Sequence, residues 1–222
     1  TGFAGPHLAN LLHSEGHEIY GLIRRTNGME TDIHDVVPDE VYNSITFLYA
    51  DLCNYRALRN VFEKYQFDGV FHLAAQSHPP SSFTDPIGTM ETNVMGSANL
   101  IQVIVDHQPE CKLMFCSTSE VYGDPQVSPQ DENYLGNVNP IGIRACYDEG
   151  KRCAETLFFD YHRQYGIDIR IARIFNTYGP KMHPNDGRVI SNFIVQALKG
   201  IDITIFGDGS QTRSFCYVDD LI

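Results

Sequence analysis

Tyr147 and Lys151, in the stretch RACYDEGKRCAETL, are the first residues whose types and spacing suggest chemistry. On a helix, side chains four apart share a face. A nearby ammonium favours phenolate over phenol and brings a tyrosine toward the range where it abstracts protons. Taken alone, such a pair is more often surface packing. Upstream, FCSTSEVYGDP sets Ser117, Thr118, Ser119 and Glu120 directly after an apolar run. Hydroxyls there can hold a substrate oxygen and the carboxylate can move a proton, although the plainer role of STSE is a helix cap. Together with the glycines described next, the two stretches favour catalysis.

Gly2 and Gly5, just ahead of a helix expected to start near Pro6, have the spacing of the second and third glycines of G-x-x-G-x-x-G. Such glycines let the backbone approach a pyrophosphate and aim helix N–H groups at it. A plain tight turn would use the same residues. In GLIRRTNG, Arg24 and Arg25 follow a strand-like run at the place where a carboxylate would meet the ribose 2′-hydroxyl of NAD. Two fixed cations there suit a 2′-phosphate and argue for NADP; two solvated surface arginines are the alternative. Asp51, after the next strand, can accept from the adenine amino group. His13 and His17 in HSEGH lack the zinc-protease pattern, and His72 in VFHLAA reads as a satisfied sheet-end histidine, so no metal is expected.

These groups need elements to position them. PHLANLLHSEG reads as a helix, EIYGLIR and SITFLYA as strands, YRALRNVFEKY as a helix and GVFHLAA as a strand. A long helix from about 86 to 107, capped by Asp85, the strand KLMFCS, a helix from about 147 to 165, the strand DIRIARIF, a helix around 188 to 199 and the strand ITIFG follow. Strands alternating with helices predict an α/β protein with a doubly wound parallel sheet, helices on both faces, and ligands at the C-terminal strand ends. Residues 123 to 147 are rich in Pro, Gly, Asn and Asp without a sustained period, so this long loop belongs at the mouth of a site. The chain opens on glycines with no strand before them and stops in VDDLI, at what reads as a helix start, so a fragment is expected.

Composition narrows the function. The 222 residues are 42% hydrophobic and 20% charged, which excludes disorder, and the formal charge of −12 argues against sequence-independent nucleic-acid binding. No apolar run approaches the roughly 18 residues that cross a bilayer, and no basic leader with a long apolar stretch opens the sequence. The six cysteines include no C-x-x-C pair. They read as reduced, mostly buried thiols of a cytoplasmic protein.

STSEVYGDP, NPIGIRACYDEGKRCAET, RIARIFNTYGP, NDGRVISNFI and QTRSFCYVDDL together resemble the nucleotide-sugar branch of the extended short-chain dehydrogenase/reductase family, over essentially the whole chain. This second half is similar to the UDP-glucuronate decarboxylases, whereas TGFAGPHL, GLIRRTNG and HLAAQSH look closer to the GDP-mannose 4,6-dehydratases. The resemblance implies a Rossmann-type cofactor domain over residues 1–175 and the start of a nucleotide-sugar-binding region over 176–222. It implies Tyr147 as the base at the sugar 4-hydroxyl, Lys151 on the nicotinamide ribose, Thr118 on the 4-oxygen with Ser119 beside it, and Glu120 handling protons near C5. Cofactor contacts are implied for Gly2, Gly5, Arg24, Arg25, Asp51, Leu52, Leu73, Ala74, Ala75 and Ser117, besides Tyr147 and Lys151. Asn176, Arg188 and Arg213 would hold the nucleotide diphosphate, their donors matching phosphate oxygens. The implied activity is decarboxylation of UDP-glucuronate to UDP-xylose through a 4-keto sugar, with 4,6-dehydration as the alternative. The decarboxylase likeness points to NAD, the arginines to NADP, and the family to a homodimer through the helices near 86–107 and 147–165. A non-catalytic nucleotide-binding scaffold is a third reading, opposed by Thr118, Glu120, Tyr147 and Lys151 standing together.

Overall fold

A computed structural model describes residues 2–24, 33, 37–143, 145–184 and 186–222. The first half runs through α1 (Ala4–Ser14), β1 (Ile19–Ile23), α2 (Asp39–Ser44), β2 (Ile45–Tyr49), α3 (Tyr55–Lys64) and β3 (Gly69–His72). Next come α4 (Pro79–Thr84), α5 (Pro86–Met90), a π-helical turn (Glu91–Met95), α6 (Gly96–His107), β4 (Lys112–Thr118) and a 3₁₀ turn (Ser119–Tyr122). The rest comprises α7 (Ala145–Tyr165), β5 (Ile169–Ile174), β6 (Asn176–Tyr178), α8 (Val189–Lys199), β7 (Phe215–Tyr217) and α9 (Val218–Leu221). The chain divides into two units, one of Leu22–Arg25 and Leu48–Ile174, the other of Thr1–Gly21, Thr26–Phe47 and Phe175–Ile222.

The unit containing Leu48–Ile174 is built on the parallel sheet β3-β4-β5, with His72 opposite Phe115 and Thr118 opposite Ile174. Parallel neighbours require crossovers, and the helical run ending in α6 and then α7 supply them. Along β4, KLMFCST alternates its burial, sending Leu113 and Phe115 into the core. There they meet Leu58 and Phe62 of α3, Ile101 and Ile104 of α6, and Ala154 and Phe158 of α7. Burying each of the larger side chains is worth roughly 1.5–3 kcal/mol. Asn54 caps α3 by accepting from the Ala57 amide at 3.1 Å, and Asp85 caps α5 by accepting from Gly88 at 2.9 Å.

The helix expected over 86–107 is therefore present but not uniform, because a π turn interrupts it at Glu91–Met95. Such insertions are frequent at functional sites. Gly96, which follows, is needed for packing: a Cβ there would stand 2.9 Å from that of Leu52.

In the other unit, Ala9 of α1 packs on Ile19 and Ile45. The parallel pair β6-β7 sets Asn176 opposite Phe215, and a Cβ on Gly179 would come within 2.4 Å of Val218 Cγ1. The strand expected for ITIFG does not form. A strand needs a neighbour for its amides and carbonyls, and no described strand pairs with it. The Thr204 amide instead donates to Gln196 Oε1 at 3.0 Å and its hydroxyl accepts from Gln196 Nε2 at 3.2 Å, while Ile203, Ile205 and Phe206 face outward. The cysteines are all free thiols, but the expectation that most are buried fails: Cys111 is buried, Cys53 and Cys153 are exposed, and the others lie between.

Candidate active site

β4 ends at Thr118, where the parallel sheet presents its C-terminal edge. Thr118 is buried, and its Oγ1 accepts a 3.3 Å hydrogen bond from the Glu120 amide, so the threonine caps the 3₁₀ turn that carries Ser119 and Glu120. The cap and the candidate site are thus the same residues. Ser117, one residue earlier, is also buried and donates 2.5 Å to Glu155 Oε1 on α7.

α7 begins at Ala145, which places Tyr147 in its first turn and Lys151 one turn further on the same face. Lys151 is only 4% exposed. Its ammonium donates to the Cys116 carbonyl at 2.8 Å and lies 4.6 Å from the centroid of the Phe115 ring. Burial pushes this amine down to about 8, against a smaller upward pull from Cys116 and Glu155. A cation is therefore fixed beside the strand end that carries Thr118, while Gly150 lets α7 close on α5 and the π turn: a Cβ there would meet Met90 Sδ at 3.3 Å and Asn93 Cβ at 3.6 Å.

The long loop is anchored rather than free-standing. Gly123, at φ +64°, bridges to Asn137, whose carbonyl a Cβ on Gly123 would approach to 2.3 Å, and Asn137 donates its amide to the Tyr122 carbonyl at 2.8 Å. Arg152 of α7 donates to the carbonyls of Val121 at 2.8 Å and Leu135 at 3.0 Å, tying the 3₁₀ turn and the loop to one helix.

Asn93 was not found by sequence reading. Almost wholly buried in the π turn, it accepts from the Gln76 amide at 2.8 Å and donates to the Gln76 carbonyl at 3.1 Å, fixing the segment after β3. Asparagine at position 93, inside a helical run and without a matching turn signal, gave no sign of this. His72 is the satisfied sheet-end histidine expected of it: its Nε2 lies 2.9 Å from Ser97 Oγ, which donates to the Asn93 carbonyl at 2.7 Å. The ring therefore carries its proton on Nε2. Burial, aided by the Lys151 charge, lowers its pKa to about 3 and keeps it neutral.

Among the other cofactor candidates, Leu73, Ala74 and Ala75 lie in that segment after β3, Ala74 exposed. Leu52 is buried with its carbonyl held by Asn99 Nδ2 at 2.8 Å, and Asp51 Oδ1 accepts from the Cys53 amide at 2.8 Å. Arg24 is exposed just past β1, and Arg25 lies outside the described residues. Gly2 has open space where a Cβ would stand; Gly5 falls inside α1, which starts at Ala4 rather than near Pro6, and no side chain caps that helix. Within its own unit, the uncapped start of α1 after Gly2 offers free backbone N–H donors of the kind that suit a pyrophosphate.

In the unit containing Phe175–Ile222, Asn176 donates from Nδ2 to the Ser214 carbonyl at 3.3 Å, so β6-β7 pairing brings it to the segment of Arg213. Arg213 is exposed, its Nη1 on the Thr212 carbonyl at 2.8 Å. Arg188, at the start of α8, instead turns to Asp186 Oδ1 at 3.2 Å. Among the described residues no group of three or more His, Cys, Asp or Glu could hold a metal, and no helix is long and apolar enough to cross a membrane.

The family profile described as "NAD dependent epimerase/dehydratase family" matches residues 1–222. UDP-glucuronic acid decarboxylase 1 of Xenopus tropicalis is 44% identical over 222 residues, 100% of this chain and 50% of that protein. UDP-glucuronic acid decarboxylase 6 of Arabidopsis thaliana is 57% identical over 157 residues, 71% of this chain and 45% of that protein. A single-site variant of UDP-glucuronic acid 4-epimerase from Bacillus cereus, solved with UDP-4-deoxy-4-fluoro-glucuronic acid and NAD, has a TM-score of 0.83 at 27% identity, covering 99% of this chain and 68% of that one. The chain spans about half the length of the curated relatives it matches.

Proposed function

The chain belongs to the NAD dependent epimerase/dehydratase family, and from that premise we propose that the protein decarboxylates UDP-glucuronate to UDP-xylose. The observation that carries the reading is the likeness to UDP-glucuronic acid decarboxylases along the full chain. The cluster of Thr118, Glu120, Tyr147 and Lys151 within one compact unit agrees with it.

The chemistry that NAD supplies when bound is acceptance of hydride from the sugar C4 and its later return. Tyr147 takes the proton of the 4-hydroxyl, with Lys151 on the nicotinamide ribose holding a positive charge nearby. Thr118 holds the 4-oxygen, with Ser119 beside it. Once C4 is a ketone, the C6 carboxylate belongs to a β-keto acid, and carbon dioxide leaves as its bonding electrons enter an enolate. Glu120 then serves proton delivery to C5. Gly2 and Gly5 would face the cofactor pyrophosphate, Asp51 and Leu52 the adenine, and Leu73, Ala74, Ala75 and Ser117 the remainder of the dinucleotide. Residues 176–222 begin the part that binds the nucleotide sugar, where Asn176, Arg188 and Arg213 supply donors to its diphosphate. Arg24 leaves room for NADP as a second cofactor.

We place the protein in the cytoplasm as a homodimer. Six free thiols support the first, and the exposed Ile87, Met95 and Phe159 along the helical run 86–107 and α7 support the second. The test of function is to supply a protein of the relatives' full length with carboxyl-labelled UDP-glucuronate and, separately, GDP-mannose. Labelled carbon dioxide and UDP-xylose are expected. A 4-keto-6-deoxy sugar from GDP-mannose, without labelled carbon dioxide, would replace this reading with dehydration.

A further inference from the structure

Glu155 stands one turn beyond Lys151 on α7 and is 6% exposed. Both carboxylate oxygens are engaged. Oε1 accepts from Ser117 Oγ at 2.5 Å and from Arg173 Nε at 3.1 Å, and Oε2 accepts from Arg173 Nη2 at 2.8 Å. Arg173, on β5, spends its remaining nitrogen on the far side: Nη1 donates to Tyr122 Oη at 3.1 Å and to the Glu132 carbonyl at 3.3 Å. Its guanidinium lies 4.9 Å from the Tyr122 ring centroid, and the Tyr122 hydroxyl donates to the Asp131 carbonyl at 3.1 Å.

The contacts fall at both ends of one short segment. Ser117 immediately precedes Thr118, and Tyr122 closes the turn that holds Ser119 and Glu120. A planar fork satisfies both oxygens of a carboxylate with one edge and holds a further donor rigidly toward a second partner, whereas an ammonium is a point charge on a flexible stem that does not fix the two in one plane. A buried ion pair is seldom better for stability than apolar side chains of the same volume, so its contribution here is sought in geometry.

We propose that Glu155 and Arg173 are positioning residues whose paired side chains bracket the Ser117–Tyr122 segment, holding Thr118, Ser119 and Glu120 in register with the helix that carries Tyr147 and Lys151. The assignment rests on the site reading given under Proposed function. Neither residue touches the reacting atoms. Their effect passes through Ser117 and Tyr122, and a displaced turn costs rate without loosening the nucleotide.

The experiment uses the full-length protein and the variants Arg173→Lys and Tyr122→Phe, the second removing one hydroxyl and leaving the ring stacked. Amide hydrogen exchange is followed over Ser117–Gly123 with α6 as the internal reference, beside kcat, KM and melting temperature. Exchange of that segment is expected to quicken about tenfold or more while α6 is unchanged. In Arg173→Lys, kcat per folded molecule is expected to fall about tenfold or more with KM within about threefold. Exchange equal to wild type in both variants overturns the proposal. So does a loosened segment with kcat within about twofold of wild type, which would make the pair merely structural. If Arg173→Lys does not fold, Tyr122→Phe decides by the same two readouts. If wild type forms no UDP-xylose but dehydrates GDP-mannose, the function reading fails by itself, and the clamp is judged on GDP-mannose turnover.

Discussion

The ammonium of Lys151 on α7 donates a 2.8 Å hydrogen bond to the carbonyl of Cys116 on β4, two residues before Thr118. One side chain thereby sets the height of α7 against the strand end, and Tyr147, one turn earlier, takes its place from the same contact. A lysine buried this deeply is costly as a cation, and its position by the candidate catalytic turn is the reason to look for function in it.

Tyr147→Phe removes only a phenolic oxygen from a partly buried ring. Turnover should fall by about 10²-fold or more, the usual contribution of a general base, while cofactor affinity stays near wild type. Steady-state rates and a cofactor titration on the full-length protein check this. More than about a tenth of the wild-type rate in the variant is incompatible with Tyr147 as the base.

Lys151→Met should show the cost of the buried charge in the pH dependence of stability. The folded-state value of Lys151, about 8, lies below its ordinary 10.5, so between those values the folded protein binds fewer protons than the unfolded one. Stability from this residue therefore rises with pH through that window and is lowest, by roughly 3 kcal/mol, below it. The methionine variant lacks the term. It should be inactive, melt several degrees higher than wild type at neutral pH, and lose that advantage as pH climbs toward about 10.5. Melting curves of the two proteins running parallel from about pH 6 to 11 would remove the premise.

Periodicity made much of this architecture legible. The alternation of short apolar runs with helical ones, and the STSE and Tyr-Lys stretches at the ends of such elements, depend on local pattern and survive folding unchanged. What was not legible depends on contacts distant in sequence. The π turn at Glu91–Met95 goes with Asn93 gripping Gln76. Glu155 looks like one more surface carboxylate until β5 brings Arg173 to it. ITIFG has every local feature of a strand, yet a strand is defined by its neighbour. The cysteines misled because apolar surroundings in sequence place Cys111 inside but leave Cys53 and Cys153 at helix and turn surfaces.

Arg24→Asp should lower affinity for NADP relative to NAD. Arg24 is exposed just past β1, where a cation favours a 2′-phosphate and a carboxylate repels it while accepting from a 2′-hydroxyl. The ratio of the two dissociation constants is expected to move by about tenfold or more toward NAD. An unchanged ratio would return Arg24 to the solvated surface.

Glu120→Gln separates the two chemistries open to a 4-keto sugar. The substitution keeps the shape and hydrogen-bonding capacity of the side chain and removes its basicity. Dehydration requires a base to take the C5 proton before water can leave, so a dehydratase would stop at the 4-keto stage. Decarboxylation breaks the C5–C6 bond without prior deprotonation at C5, so carbon dioxide release should continue while delivery of a proton to C5 becomes slow. In a single turnover of the full-length protein with carboxyl-labelled UDP-glucuronate, the variant should release label at a rate within about tenfold of wild type, with UDP-xylose lagging behind it. The reduced cofactor, followed by absorbance, should persist through the lag because hydride return waits for the protonated carbon. Label release suppressed as strongly as UDP-xylose formation would place Glu120 before carbon–carbon cleavage and take away its role as the C5 proton donor.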